Sequence, residues 1–230
     1  MSFDIAQIAY VASVWVLPVL VAITFHEAAH GYVAWKLGDD TAFRLGRVTF
    51  NPLRHVDMWG TVILPAMLIL TRAPFLFGWA KPVPVDFRRL DTPRRDMVWV
   101  AAAGPGINIV LAVISAALIH IALVLPAPFA GWLLDVLHSS ITINVMLAVF
   151  NMLPLPPLDG GRVAVGLLPD RLAYPLARLE RYGLVILVAL IFVLPYVGGR
   201  LGVAIDPFAW LVAAPANIVI GIIYAAVGLS

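Results

Sequence analysis

Apolar residues run along this chain in long blocks rather than at the spacing of a surface helix or a half-buried strand. About 20 consecutive apolar residues are needed for a helix to cross the hydrocarbon core of a bilayer. Five segments qualify, at roughly 7–35, 97–125, 140–158, 182–198 and 207–229, the fourth being the shortest. A sixth apolar piece starts at Thr61 and is interrupted by Arg72 and Pro74. Its length of about 10–14 residues predicts a segment that dips into the bilayer and returns.

The charges between the blocks favour the same layout. Lys36, Arg44, Arg47 and Arg54 precede the short piece, and Lys81, Arg88, Arg89, Arg94 and Arg95 follow it. A full crossing would put one of these basic loops outside, against the positive-inside rule. A re-entrant piece keeps both in the cytoplasm. The stretch 126–139, which has no Lys or Arg, then falls outside, while Arg162, Arg171, Arg178 and Arg181 fall inside. The expected topology has the N-terminus out and the C-terminus in. The expected fold is all-α and polytopic, with about five to six transmembrane helices and a re-entrant or extended segment near 58–86. Within it, Gly78 to Val85 is punctuated by Pro82 and Pro84 and reads as extended, a strand or hairpin.

Composition removes the soluble alternatives. Apolar residues make up 62% of the 230 residues and charged residues 12%, against roughly half and a quarter in soluble domains. Mean hydropathy is +0.98. The net charge of +2 is spread over several loops, and no basic block points to nucleic acid. With no cysteine, disulfides and thiolate metal sites are excluded. The first block has neither a positive leader nor a cleavage site, so it is expected to be retained as a helix.

Against this apolar background the sequence Thr24-Phe-His-Glu-Ala-Ala-His-Gly31 stands out. On a helix, His26 and His30 lie one turn apart and share a face. Two imidazoles so placed can hold one Zn²⁺, with Glu27 beside them as general base. Two surface histidines and a capping carboxylate are the structural alternative. Ionisable groups at membrane depth are costly and mark functional sites, which favours the metal. A catalytic zinc usually has three protein ligands; the third could come from His55, His120, His138 or an aspartate. Asp159 is the best placed, in Asn151-Met-Leu-Pro-Leu-Pro-Pro-Leu-Asp-Gly-Gly-Arg162, where it ends an apolar helix broken by Pro154, Pro156 and Pro157. A simple turn leaving the bilayer would give the same pattern.

The H-E-A-A-H motif, the Asn151–Arg162 stretch and Ala101-Ala-Ala-Gly-Pro-Gly-Ile-Asn108 between them together resemble the site-2 protease family of intramembrane zinc metalloproteases. Order and spacing agree over about residues 20–165, and the stretches 37–61 and 77–90 resemble a compact prokaryotic subgroup. The resemblance implies one zinc per chain, bound by His26, His30 and Asp159, with Glu27 as catalytic acid/base. It implies that Asn151 contacts substrate backbone or stabilises the reacting carbonyl. Asn108, matching the family's middle motif, is a candidate for a similar role; from the residues alone it reads as a hydrogen bond between helices, where Gly104 and Gly106 permit close approach.

The implied activity is hydrolysis of peptide bonds in or near transmembrane segments of membrane-protein substrates, as in regulated intramembrane proteolysis. The implied location is a prokaryotic cell membrane, with the site toward the cytoplasm. No stretch is long enough for the PDZ or regulatory domain that some members carry, so one catalytic domain is expected over 1–230, with its core at about 7–165 and accessory helices at about 180–230. A divalent-metal transporter using the same His/Asp cluster is the alternative. His55 and Asp57 read as a solvated turn or as residues supporting the site, and His120 and His138 as interfacial groups far from it.

Overall fold

A computed structural model of the chain describes residues 5–71 and 78–229. Its helices are α1 (Ile5–Lys36), α2 (Thr41–Arg44), α3 (Leu64–Leu70), α4 (Pro93–Ala122), α5 (Phe129–Asn151), α6 (Asp159–Leu167), α7 (Asp170–Arg178), α8 (Gly183–Val188), α9 (Leu194–Arg200) and α10 (Ala214–Val227). No strand occurs among the described residues. Among the described residues, five helical stretches are long and apolar enough to cross a membrane: Ala9–Lys36, Pro93–Ala122, Phe129–Asn151, Asp170–Arg200 and Ala209–Val227. The protein is a multi-pass integral membrane protein.

The centre is a three-helix unit in which α1 and α5 run parallel and α4 runs antiparallel to both. Tyr10 and Ser13 of α1 meet Asp135 and Trp132 of α5 at one end. At the other, His30 of α1 meets Val100 near the start of α4. The α4–α5 interface is built from Ala112, Ala116, Ile119 and Ala122 against Leu137, Ile141 and Val145, with Ala216 and Ile223 of α10 closing the cluster. Lipid tails are as apolar as leucine, so close packing by small residues, rather than escape from water, holds such helices together. The outward side chains of the last two spans, including Leu184, Val185, Val193, Ile218 and Ile222, are exposed and suited to lipid.

Three expectations need revision. The third span occupies Phe129–Asn151 instead of 140–158. Its first turns carry two polar-tipped side chains that α1 satisfies: Tyr10 Oη donates to Asp135 Oδ2 at 2.6 Å, and Trp132 Nε1 to Ser13 Oγ at 2.9 Å. Second, Asp159 does not end that helix. The helix stops at Asn151, the proline-rich turn follows, and Asp159 opens α6, where a carboxylate suits the helix N-terminus. Third, 78–86 is neither a strand nor a hairpin. Pro82 and Pro84 have no N–H to give a ladder, and the segment is instead a strap tied to several partners.

The strap returns to where the short apolar piece begins. Trp79 N donates to Gly60 O at 3.2 Å, and Thr61 Oγ1 to Trp79 O at 2.8 Å. A chain that leaves at Gly60 and is back beside it at Trp79 begins and ends its excursion at one level, as a re-entrant segment does. Residues 72–77 lie outside the described residues.

Candidate metal centre

Helix α1 carries His26, Glu27 and His30 into a pocket bounded by α4, α6 and the strap. His26 Nε2 lies 3.1 Å and His30 Nε2 3.3 Å from Asp159 Oδ2. One ligand atom from each of the three residues lies within 4.8 Å of the others, and no other such group of three occurs among the described residues. The sequence separates Asp159 widely from the histidines; the packing of α6 against α4 closes that gap.

The proton positions decide what this cluster can hold. His30 Nδ1 lies 2.7 Å from Val100 O, a carbonyl that only accepts, so Nδ1 carries the proton there. His26 Nδ1 lies 2.5 Å from Asn108 Oδ1, which places its proton on Nδ1 as well. Both Nε2 atoms therefore present lone pairs toward Asp159 Oδ2, which is buried without a hydrogen-bond partner. Three converging acceptors repel one another unless a cation or a shared proton lies between them. Donors bound tetrahedrally to zinc at about 2.0–2.1 Å lie about 3.3 Å from each other, which is the size of the separations found. The donor set fits a divalent metal such as zinc.

Glycines let the backbones approach. A Cβ on Gly104 of α4 would collide with Nε2 of both histidines, so this position leaves the space beside them open. On Gly160 and Gly161 a Cβ would meet the backbone of Met152 and of Leu155 and Pro156, so both residues let α6 fold back against the proline turn.

Glu27 is half-buried beside the cluster, and its Oε2 accepts a 2.7 Å hydrogen bond from Val83 N. Two cavities meet here. One, of about 380 Å³, is lined by His26, Glu27, His30, Asn151, Asp159 and Arg162, among others. The second, of about 300 Å³ and mostly apolar, shares His26, Glu27, Trp79 and Asn151 and extends to Leu184, Leu187 and Ile191.

Of the other predicted residues, Asn151 lines both cavities, with Nδ2 bonded to Leu147 O at 3.0 Å. Asn108 lies on neither wall: it is fully buried behind His26 and bonds across helices to Ala22 O and Asn144 Oδ1. His55 is not solvated. It is 2% exposed, and its carbonyl accepts from Lys81 N of the strap at 2.9 Å. Asp57 caps the turn before the short apolar piece, accepting from Trp59 N and Gly60 N. His120 and His138 lie away from the cluster, against Val227 O and Tyr224.

Sequence reading counted Arg47 only as a topology charge and did not single out Asp39. Buried Asp39 accepts from Thr41 and from Asp86 N, and buried Arg47 donates to Lys81 O at 2.7 Å. Together they fasten the strap that carries Val83. Asn144 was also missed. Each of the three acts through a partner distant in sequence, and no local pattern announces that.

Comparison with known proteins decides the family. Over 184 residues the chain is 40% identical to "Putative zinc metalloprotease YwhC" of Bacillus subtilis, covering 78% of this chain and 80% of that one. The chain belongs to peptidase family M50. Residues 119–194 match the family directly, under the description Peptidase family M50. "Putative zinc metalloprotease Rip2" of Mycolicibacterium smegmatis is 30% identical over 177 residues, covering 75% of this chain and 64% of that protein. Its namesake in Mycobacterium tuberculosis is 29% identical over 188 residues, covering 78% and 66%. No solved structure matches.

The M50 assignment makes the protein a zinc metalloendopeptidase of the site-2 protease type. It sets aside metal transport as the reading of the His/Asp cluster, and the described residues offer no second cluster that would continue a path.

Proposed function

We propose that this protein is an intramembrane protease that hydrolyses peptide bonds in or near transmembrane segments of membrane-protein substrates. The observation that carries the proposal is the convergence of His26, His30 and Asp159 beside Glu27 in a pocket among bilayer-spanning helices. On this reading the three residues hold one zinc per chain. Zinc bound there supplies Lewis acidity and brings the pKa of a water toward neutrality. Glu27, held through Oε2 by the Val83 amide, takes the proton of the attacking water and delivers it to the leaving amine. Asn151, on the wall of both cavities, steadies the substrate backbone or the developing oxyanion. The apolar second cavity suits the side chains of a transmembrane segment whose backbone is exposed for attack.

The catalytic groups come from α1 and α6, arranged on α4 and α5, with the last two spans as accessory helices of one domain. The Lys and Arg distribution supports an N-terminus outside and a site toward the cytoplasmic face of a bacterial cell membrane. Glu27→Gln is the direct test, in proteoliposomes containing a model transmembrane substrate. Cleavage should fall by a factor of about 10²–10⁴ while zinc content is unchanged. Cleavage at the wild-type rate would rule out Glu27 as the base.

A further inference from the structure

Behind His26 a chain of polar side chains crosses the bundle where apolar residues would be the default. His26 Nδ1 faces Asn108 Oδ1 at 2.5 Å. Asn108 Nδ2 donates to Asn144 Oδ1 at 2.8 Å and to Ala22 O at 3.2 Å. Asn144 Nδ2 donates to Ser140 O at 2.9 Å, and Ser140 Oγ lies 2.8 Å from Ser115 Oγ. Asn108 and Asn144 are both 0% exposed. Burying two amides is costly unless each polar atom is matched, so the arrangement of this pair calls for a reason.

The chain has a fixed direction. A backbone carbonyl can only accept, and one sits against each amide: Ala22 O against Asn108 and Ser140 O against Asn144. Each Nδ2 must therefore face its carbonyl. Asn144 is left with Oδ1 turned to Asn108, and Asn108 with Oδ1 turned to His26. An oxygen against His26 Nδ1 puts the ring proton there and the lone pair on Nε2, toward Asp159. His30 reaches the same state through one backbone carbonyl. His26 has no such carbonyl and depends on side chains.

We propose that Asn144 is a positioning residue for the metal centre: acting through Asn108, it fixes the tautomer and ring orientation of His26. The inference rests on the reading that His26 ligates zinc. Groups that orient a metal-bound histidine from behind typically change metal affinity by about 10–100-fold when lost. Asn144 stands one residue further back, and Ala22 O holds Asn108 in part, so a smaller effect is expected.

The test is the rate at which zinc leaves the detergent-solubilised holoenzyme for an excess of chelator. Asn144→Leu, similar in size and without polar atoms, should speed release about tenfold, and Asn108→Leu by about 10–100-fold. Val145→Ala perturbs the next, equally buried residue of α5 outside the polar chain and should leave the rate within twofold of wild type. A second readout is the His26 Nδ1–H proton resonance in ¹⁵N-histidine-labelled holoenzyme. It should be present and slow to exchange in the wild type, and shifted or fast-exchanging in Asn144→Leu alone of the two α5 variants.

Release from Asn144→Leu at the wild-type rate, or equally fast release from Val145→Ala, overturns the proposal. If the leucine variants do not fold, the wild type decides: a His26 ring without its proton on Nδ1 overturns it. His26→Ala separates the two levels. Full zinc content in that variant would sink the ligand assignment itself, whereas lost zinc together with a silent Asn144→Leu would sink only the relay.

Discussion

Gly104 backs directly onto His26: a Cβ at that position would sit 2.6 Å from the imidazole Nε2. The absence of a side chain on α4 is thus part of the candidate metal centre. Gly104→Ala should weaken zinc binding by at least about 10–100-fold while the spans still assemble, because the methyl occupies the space beside the donors. Zinc content after dialysis against a graded chelator series would check this; full occupancy at wild-type affinity would contradict it.

Asp159→Asn keeps the shape of the third donor and removes its charge. Zinc affinity should fall by about a hundredfold or more, the cost of losing an ionised ligand exceeding that of losing an outer partner. A ligand that binds only the folded state at a thousand times its Kd stabilises it by about 4 kcal/mol. Zinc should accordingly raise the thermal midpoint of the wild type and have little effect on the Asp159→Asn midpoint. An equal rise in both would place the metal elsewhere.

Val83→Pro tests the strap. Between Pro82 and Pro84, Val83 supplies the amide that holds Glu27 Oε2 at 2.7 Å. Replacing it removes that donor without touching a proposed ligand. A carboxylate misplaced by about 1 Å can cost about a hundredfold in rate, so kcat should fall roughly 10–100-fold with zinc retained. An unchanged kcat would make the contact incidental.

The Gly60–Trp79 contact makes a prediction about topology. The chain has no native cysteine, so single cysteines report cleanly. Cysteines placed at Asp57 and Asp86, on either side of the short apolar piece, should react with an impermeant thiol reagent from the same face of the membrane. Labelling from opposite faces would require a full crossing.

The sequence made local things visible and distant things obscure. His26 and His30 could be paired by inspection because one helical turn fixes their relation before anything else folds. The five spans could be counted because the bilayer sets their length. The start of the third span was less legible: its first turns carry Asp135, whose cost is offset by Tyr10, 125 residues away, a partner that only packing supplies. Asp159 was found in the correct turn but at the wrong end of a helix, since prolines mark a break without saying on which side the helix resumes. The roles of Asn144, Asp39 and Arg47 left no trace, because each makes sense only through a partner that packing supplies.

The proline turn between α5 and α6 has a consequence for how the molecule comes into being. A ribosome delivers the H-E-A-A-H helix to the membrane well before α6 exists. On the ligand assignment proposed here, the early chain carries the nucleophile-activating carboxylate and two imidazoles but lacks the aspartate that completes the set. Only when Gly160 and Gly161 seat α6 against the finished turn do the donors converge. The order of synthesis would then keep the donor set incomplete until α6 has packed.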